Sequence, residues 1–445
     1  MTSQISLRSS TLSLDPSKDD GHEFCDVLAV FEEHVFIFVD REKPLADLSR
    51  ADNQEVLWER WKRGTVEEQI KTAHGAEKYI RSGRRLYLDA KREKLFPIPL
   101  DVDRLIIHKI VVAHGAAEAC RSASKANASG SIAISYSADK RRTSAPFKIC
   151  LDKNNPVHVF DSHTLPIILR ELDTVKDFSD YLDAKLRAVA YLDALSYDGE
   201  EDLLAHYWLN INPTMRRHFI GTGSPGAKEL RITPGLWQGF TKLPQYAATK
   251  EANQRSYFWD KLILGTSDIW LAGRCLVGTS DLLTQRSPIR EMAKEPRFVR
   301  RTIVEHIFRA IQAFPCKPDE TLRSASFIPS IYEGKAYIFL QFWMPPTVRP
   351  DEHLYRTKRQ EALQIILGAA KNLRPEFHTL IGISIDPPNL TNATNSTGPD
   401  FLLMDCHEWS DGQRAKFEEL NKIWSFFEAA TPFSQTAWEF VLPET

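Results

Sequence analysis

The chain has 445 residues, and its 57 Lys and Arg stand against 59 Asp and Glu for a formal net charge of −2. An apolar content of 42% with 24 Phe and 10 Trp excludes a chain too polar to fold, and no run approaches the ~20 apolar residues of a membrane-spanning helix. Near-neutrality also excludes a uniformly basic nucleic-acid coat, while leaving room for a local basic face.

Taken in chain order, residues 1–21 are rich in Ser, Asp and Lys and lack the apolar core of a secretory signal, so they read as a flexible leader. The six cysteines are dispersed, as expected of reduced thiols in a cytoplasmic protein. Residues 27–30 and 35–39 are apolar runs separated by Phe31-Glu32-Glu33-His34, which predicts a β-hairpin. Leu57, Trp58, Trp61, Val66, Ile70, Ala73, Ala76, Tyr79 and Ile80 then form a helical stripe over 55–81. Strands follow at 105–113, 132–136 and 157–160, which makes residues 22–165 a mixed-sheet α/β domain. A helical and irregular middle region spans 166–296. Residues 297–445 form a second α/β domain: a helix at 297–313, strands at 325–331 and 336–343, a helix at 352–372, strands at 379–385 and 401–405, and a helix at 413–429. Both ends of the chain share the order hairpin, helix, strand.

The most chemically loaded stretch flanks the first hairpin. Its two open ends carry Glu23 and Asp26 on one side, and Asp40, Arg41, Glu42 and Lys43 on the other. Four carboxylates brought together this way repel one another unless a cation neutralises them, and all-oxygen donors suit Mg²⁺ or Mn²⁺. Arg41 or Lys43 beside them would stabilise charge developing on a phosphate while the metal activates water, a pattern that points to phosphodiester hydrolysis. The same residues also read as solvated strand ends, with surface ion pairs worth ~0–1 kcal/mol each.

An acid opening one strand, a hairpin, a charged triplet closing the next strand and a long helix together resemble the PD-(D/E)XK restriction-endonuclease-like superfamily, nearest its NERD-like and Mrr-like branches. The resemblance covers residues 20–115. It implies a restriction-endonuclease-like fold, Asp26 as the first metal ligand, and polar helix positions beside the site at Glu68, Gln69 and Lys71. The triplet departs from the family pattern. With Asp40 in the acid position, Glu42 stands where lysine belongs and Lys43 is displaced by one; in the other register Val39-Asp40-Arg41 replaces the triplet. A second stretch, 171–182 with 199–204, looks like a segment that follows NERD-like domains in bacterial proteins, some of which look like parts of phage-defence systems.

Residues 58–94 carry eleven basic against six acidic side chains, a surplus of five positive charges, with Trp58, Trp61, Tyr79 and Tyr87 interleaved. Arg60, Lys62, Arg63 and Lys71 are the candidate contacts to a nucleic-acid backbone, DNA in the first instance, with aromatic stacking on exposed bases as a further possibility. An amphipathic helix with a solvated face and core tryptophans gives the same pattern. The expectation is thus a Mg²⁺- or Mn²⁺-dependent nuclease of anti-phage defence, in which Asp26, Asp40, Glu42, Lys43 and Gln69 act and Glu23 adds a metal ligand. The alternative is a non-catalytic binding or assembly subunit, engaging a protein partner of a defence complex, built on a decayed nuclease fold.

Overall fold

The computed structural model describes residues 11–45, 54–123, 130–138, 145–212, 217–224, 226–271, 288–349, 351–392, 396–428, 437 and 439–440. The fold is mixed α/β, and the chain divides into two compact units, Met1–Ala247 and Ala248–Thr445. Among the described residues no helix is long and apolar enough to cross a membrane.

The first unit opens with β1 (Thr11–Leu14), β2 (Val27–Phe31) and β3 (His34–Glu42), an antiparallel meander rich in the β-branched and aromatic residues that suit a pleated surface. Residues 11–14 of the expected leader are therefore an edge strand, and residues 1–10 lie outside the described residues. Phe31 pairs with His34 across a two-residue turn in which Glu32 takes φ 53°. Helix α1 then runs as Gln54–Lys62, a π-helical turn at Arg63–Glu67, and Glu68–Arg81. It leads to β4 (Ile106–His114), parallel to β3 in a register from His34↔Ile106 to Glu42↔His114.

The chain continues through β5 (Ala133–Ser137), β6 (Lys148–Asp152), β7 (His158–Asp161), α2 (Thr164–Glu171), α3 (Val175–Tyr191), β8 (Ala194–Tyr197), α4 (Glu200–Leu209) and β9 (Glu229–Ile232). Strand β7 pairs parallel to β4 and completes a first sheet of order β1-β2-β3-β4-β7, while β9-β8-β5-β6 forms a second. The two sheets therefore interleave along the chain. Alternation in β3 sends Val35, Ile37 and Val39 into a core with Ala73, Ala76 and Ile80 of α1. Phe36 and Phe38 point the other way and pack on Phe178 of α3. Helix α3 starts where the Thr174 hydroxyl accepts the Asp177 N–H at 3.0 Å. It carries Lys185, fully buried and paired with Glu200 of α4 at 2.7 Å.

The second unit contains α5 (Tyr257–Leu271), α6 (Arg297–Ala313), β10 (Leu322–Pro329), β11 (Lys335–Trp343), α7 (Glu352–Leu373), β12 (Thr379–Ile385), β13 (Asp400–Asp405) and α8 (Asp411–Trp424). Its sheet has the order β10-β11-β12-β13, with β11 and β12 parallel and the outer pairs antiparallel. Trp259, Val299 and Ile303 cover one face through Tyr337, Phe339 and Ile383; Leu363, Ile366 and Leu367 cover the other through Ile338 and Leu340. With both faces covered, every residue of β11 is buried. Helix α7 is capped by Asp351, which accepts the Leu354 N–H at 2.7 Å.

Two differences from the sequence reading concern boundaries. Of the region 166–296, α2 to β9 fall in the first unit, while Trp259, Leu262, Ile263, Ile289 and Met292 lie in a core of the second. The shared order at the two ends is a shared topology, since β2-β3-α1-β4 and β10-β11-α7-β12 are each an antiparallel hairpin followed by a helix and a strand parallel to the second hairpin strand.

Candidate functional site

Strands β3, β4 and β7 are neighbours and parallel, so their C-terminal ends lie side by side, the edge at which open α/β sheets bind ligands. Asp40 follows Phe38 by two positions on β3 and lies on the face toward α3. Its Oδ1 is 3.1 Å from Nε2 of His114, the last residue of β4. The other ring nitrogen of His114, Nδ1, lies 2.8 Å from the hydroxyl of Ser162, one residue past β7. Carboxylate, imidazole and hydroxyl thus form a chain across three strand ends. The hydrogen bond to Asp40 raises the pKa of His114 against the opposing effect of burial, and the charges of Asp40, Glu42 and Asp161 add to it.

Asp26 precedes β2 and joins this edge through the backbone. Its N–H donates to the Phe38 carbonyl at 3.1 Å, and its carboxylate accepts the Asp40 N–H at 2.7 Å. The half-buried carboxyl of Asp26 is pushed up chiefly by loss of solvent; the bond from Asp40 opposes this, and the charges of Asp40 and Asp15 reinforce it. Glu23 is exposed, and its carboxyl is raised by desolvation and by the charge of Asp26. Asp26 and Asp40 are therefore neighbours, linked side chain to main chain.

Lys43 is held from three sides. Its N–H donates to the His114 carbonyl at 3.3 Å, and its own carbonyl accepts the Trp61 indole N–H at 2.8 Å. Gly115, at φ 102°, lets the backbone of Lys43 pass where any Cβ would collide with its carbonyl. The Lys43 ammonium lies over Gly64 in the π-helical turn, where a Cβ would again strike it. Turns of this kind inside α-helices recur at functional sites.

The other expected residues are placed more loosely. Arg41 and Glu42 are exposed at the end of β3, and Gln69 is half-buried in the second half of α1. Among the described residues, the groups of three or more ligand atoms within 4.8 Å of one another are His34/His108/Asp183 and His378/Asp405/His407; Glu23, Asp26, Asp40 and Glu42 form no such group. Arg60, Arg63 and Lys71 are exposed on α1, whereas Lys62 is buried beside Glu59 at 2.8 Å and Glu67 at 3.6 Å. Trp58 and Trp61 stack on each other inside the fold, and Tyr79 is buried with its hydroxyl on the Arg85 carbonyl. These three rings are core, and offer no platform for an exposed base.

Sequence reasoning did not find His114, Ser162, Trp61 as a holder of Lys43, or the two glycines beneath that lysine. His114 and Ser162 reach Asp40 only through two parallel pairings that local periodicity does not encode. Just before α2, the Asp161 carboxylate accepts the N–H groups of His163 and Thr164 at 2.9 and 2.8 Å. Compared with models of protein families, with curated proteins and with solved structures, the chain finds no match.

Proposed function

We propose that the first unit is a metal-dependent nuclease domain, of restriction-endonuclease-like architecture, hydrolysing phosphodiester bonds of nucleic acid in anti-phage defence. The observation that carries this reading is the junction of Asp26 and Asp40 at the end of an antiparallel meander that is followed by a long helix and a parallel strand. The hairpin and long helix within that order are the elements on which the superfamily resemblance rests. The donors fit a hard cation: two carboxylates adjoin, one of them half-buried with a raised pKa, and a bound Mg²⁺ or Mn²⁺ would relieve both the repulsion and the desolvation. Asp26 and Asp40 would hold the ion, with Glu42 and Glu23 on the flanks, and the ion would supply water activation and charge neutralisation. Lys43 would meet the phosphate, and Gln69 would orient groups from α1. His114, held between Asp40 and Ser162, is placed to carry a proton at Nε2 and to fix the Asp40 carboxylate. Arg60, Arg63 and Lys71 supply exposed positive charge for the backbone of DNA or RNA.

The test is incubation of the purified protein with plasmid DNA and with RNA in Mg²⁺ or Mn²⁺. Nicking is expected, abolished by a chelator and reduced by about 100-fold or more in Asp26→Ala and in Asp40→Ala. Undiminished nicking in Asp26→Ala removes the assignment.

A second reading, a non-catalytic binding or assembly subunit on a decayed nuclease fold, is favoured by one feature. Each acid already has a protein partner, and Val39, not an acid, faces α1 beside them. Calorimetry separates the two: the decayed site takes up neither Mg²⁺ nor Mn²⁺.

A further inference from the structure

At the opposite end of the same strands lies a second polar cluster, buried between the sheet and α3. His34 opens β3, His108 is the third residue of β4, and Asp183 projects from the middle of α3. His34 Nδ1 and His108 Nε2 are 3.1 Å apart, and Asp183 Oδ1 lies 3.4 Å from the His108 nitrogen and 3.9 Å from the His34 nitrogen. Three lone-pair atoms from three elements therefore converge on one point. His108 is fully buried, His34 is 8% exposed, and the Asp183 side chain, 19% exposed, is the most solvent-facing of the three.

A hydrogen bond between the rings accounts for only part of this. It places one proton between two nitrogens and gives the Asp183 oxygen beside them no proton of its own. Donor atoms around a tetrahedral ion with bonds of ~2.0–2.1 Å sit about 3.3 Å apart, close to the spacing of the two histidines and of His108 with Asp183. Two imidazoles and one carboxylate with an open fourth position match borderline-soft first-row ions better than Mg²⁺.

We propose that His34 Nδ1, His108 Nε2 and Asp183 Oδ1 bind one divalent transition ion of the zinc class, which fastens α3 to the central sheet and leaves a position open toward solvent. Behind His108, 5.6 Å between ring centroids, the buried His158 has neither ring nitrogen hydrogen-bonded among the described residues, a further polar group that ordering of this cluster would position. The site is separate from the Asp26–Asp40 edge and does not depend on nuclease activity.

The test uses the full chain, stripped of metal by chelator dialysis and titrated with Co²⁺ at pH 7. Visible d–d bands are expected to saturate at one equivalent and to disappear when Zn²⁺ is added, and Zn²⁺ is expected to raise the melting temperature. Asp183→Asn, which keeps the shape and removes the anionic donor, is expected to lower the affinity by about 100-fold or more and to abolish the thermal shift. Asp26→Ala and His407→Ala, which address the strand-end acids and the exposed His378/Asp405/His407 group, are expected to leave the one-equivalent signal in place. If Asp183→Asn fails to fold by circular dichroism, His34→Gln gives the same readout. Absence of the cobalt bands in the wild type, unchanged affinity in a folded Asp183→Asn or His34→Gln, or loss of the signal in His407→Ala overturns the proposal.

Discussion

Glu201, in the first turn of α4, is 2% exposed and accepts the Ser131 hydroxyl at 2.7 Å, while its second oxygen has no hydrogen-bond partner among the described residues. Burial pushes this carboxyl from 4.5 up to about 7, with the charges of Asp161 and Asp202 adding to the rise. The folded state therefore binds the proton more tightly than the unfolded chain. Its contribution to stability is complete below pH 4.5 and is lost as pH rises through about 7, a swing of about 3 kcal/mol. Glu201→Gln, which cannot ionise, should gain stability relative to the wild type between pH 5 and pH 8, as urea melts at the two pH values will read. An equal offset at both would mean the carboxyl is not protonated in the fold. Single residues were also where the sequence spoke unevenly about the strand-end site. Asp26 and Asp40 were legible because a hairpin of that length must bring its ends together. His114 and Ser162 were not, because they lie 74 and 122 positions beyond Asp40 and reach it only through parallel pairings.

Elements were read better than contacts. The hairpin and the helix at 55–81 follow directly from two apolar runs around a charged turn and from a 3.6-residue stripe. The π-helical turn inside α1 left a trace as well: large apolar side chains step by three from Trp58 to Trp61 and then by five to Val66, one more than an α-helix allows on a single face. What no stripe conveys is the use made of that turn, the seating of Lys43 over Gly64. The two glycines near this lysine should respond differently to alanine. At Gly115 the new Cβ meets the Lys43 main chain and the residue sits at φ 102°, so Gly115→Ala should cost about 2 kcal/mol or more. At Gly64 it meets only the mobile end of the Lys43 side chain, so Gly64→Ala should cost under about 1 kcal/mol while displacing the ammonium. Chemical denaturation of both variants checks the order; a larger loss at Gly64 would contradict this account of the turn.

At the scale of the molecule, composition and pattern gave the mixed α/β class, whereas the division between units falls at Ala247 instead of at 165 and 296. The reason is that β8 and β9, short strands in a region that reads as helical, pair with β5 across long sequence separations or with each other. Each unit has its own apolar core, so Met1–Ala247 and Ala248–Thr445 produced separately should each give far-UV circular dichroism of a folded α/β protein and a cooperative melt. A fragment without a melting transition would show that its core is incomplete alone. The interleaving of the two sheets in the first unit also sets the order in which the nascent chain can fold. The chain leaves the first sheet after β4 to lay down β5 and β6, returns for β7, and leaves again for β8 and β9. During synthesis the first sheet cannot close before Asp161 has emerged, nor the second before Ile232. Both sheets therefore depend on strands that arrive late, and we expect β1 to β4 to stay exposed to misassembly during synthesis until β7 emerges.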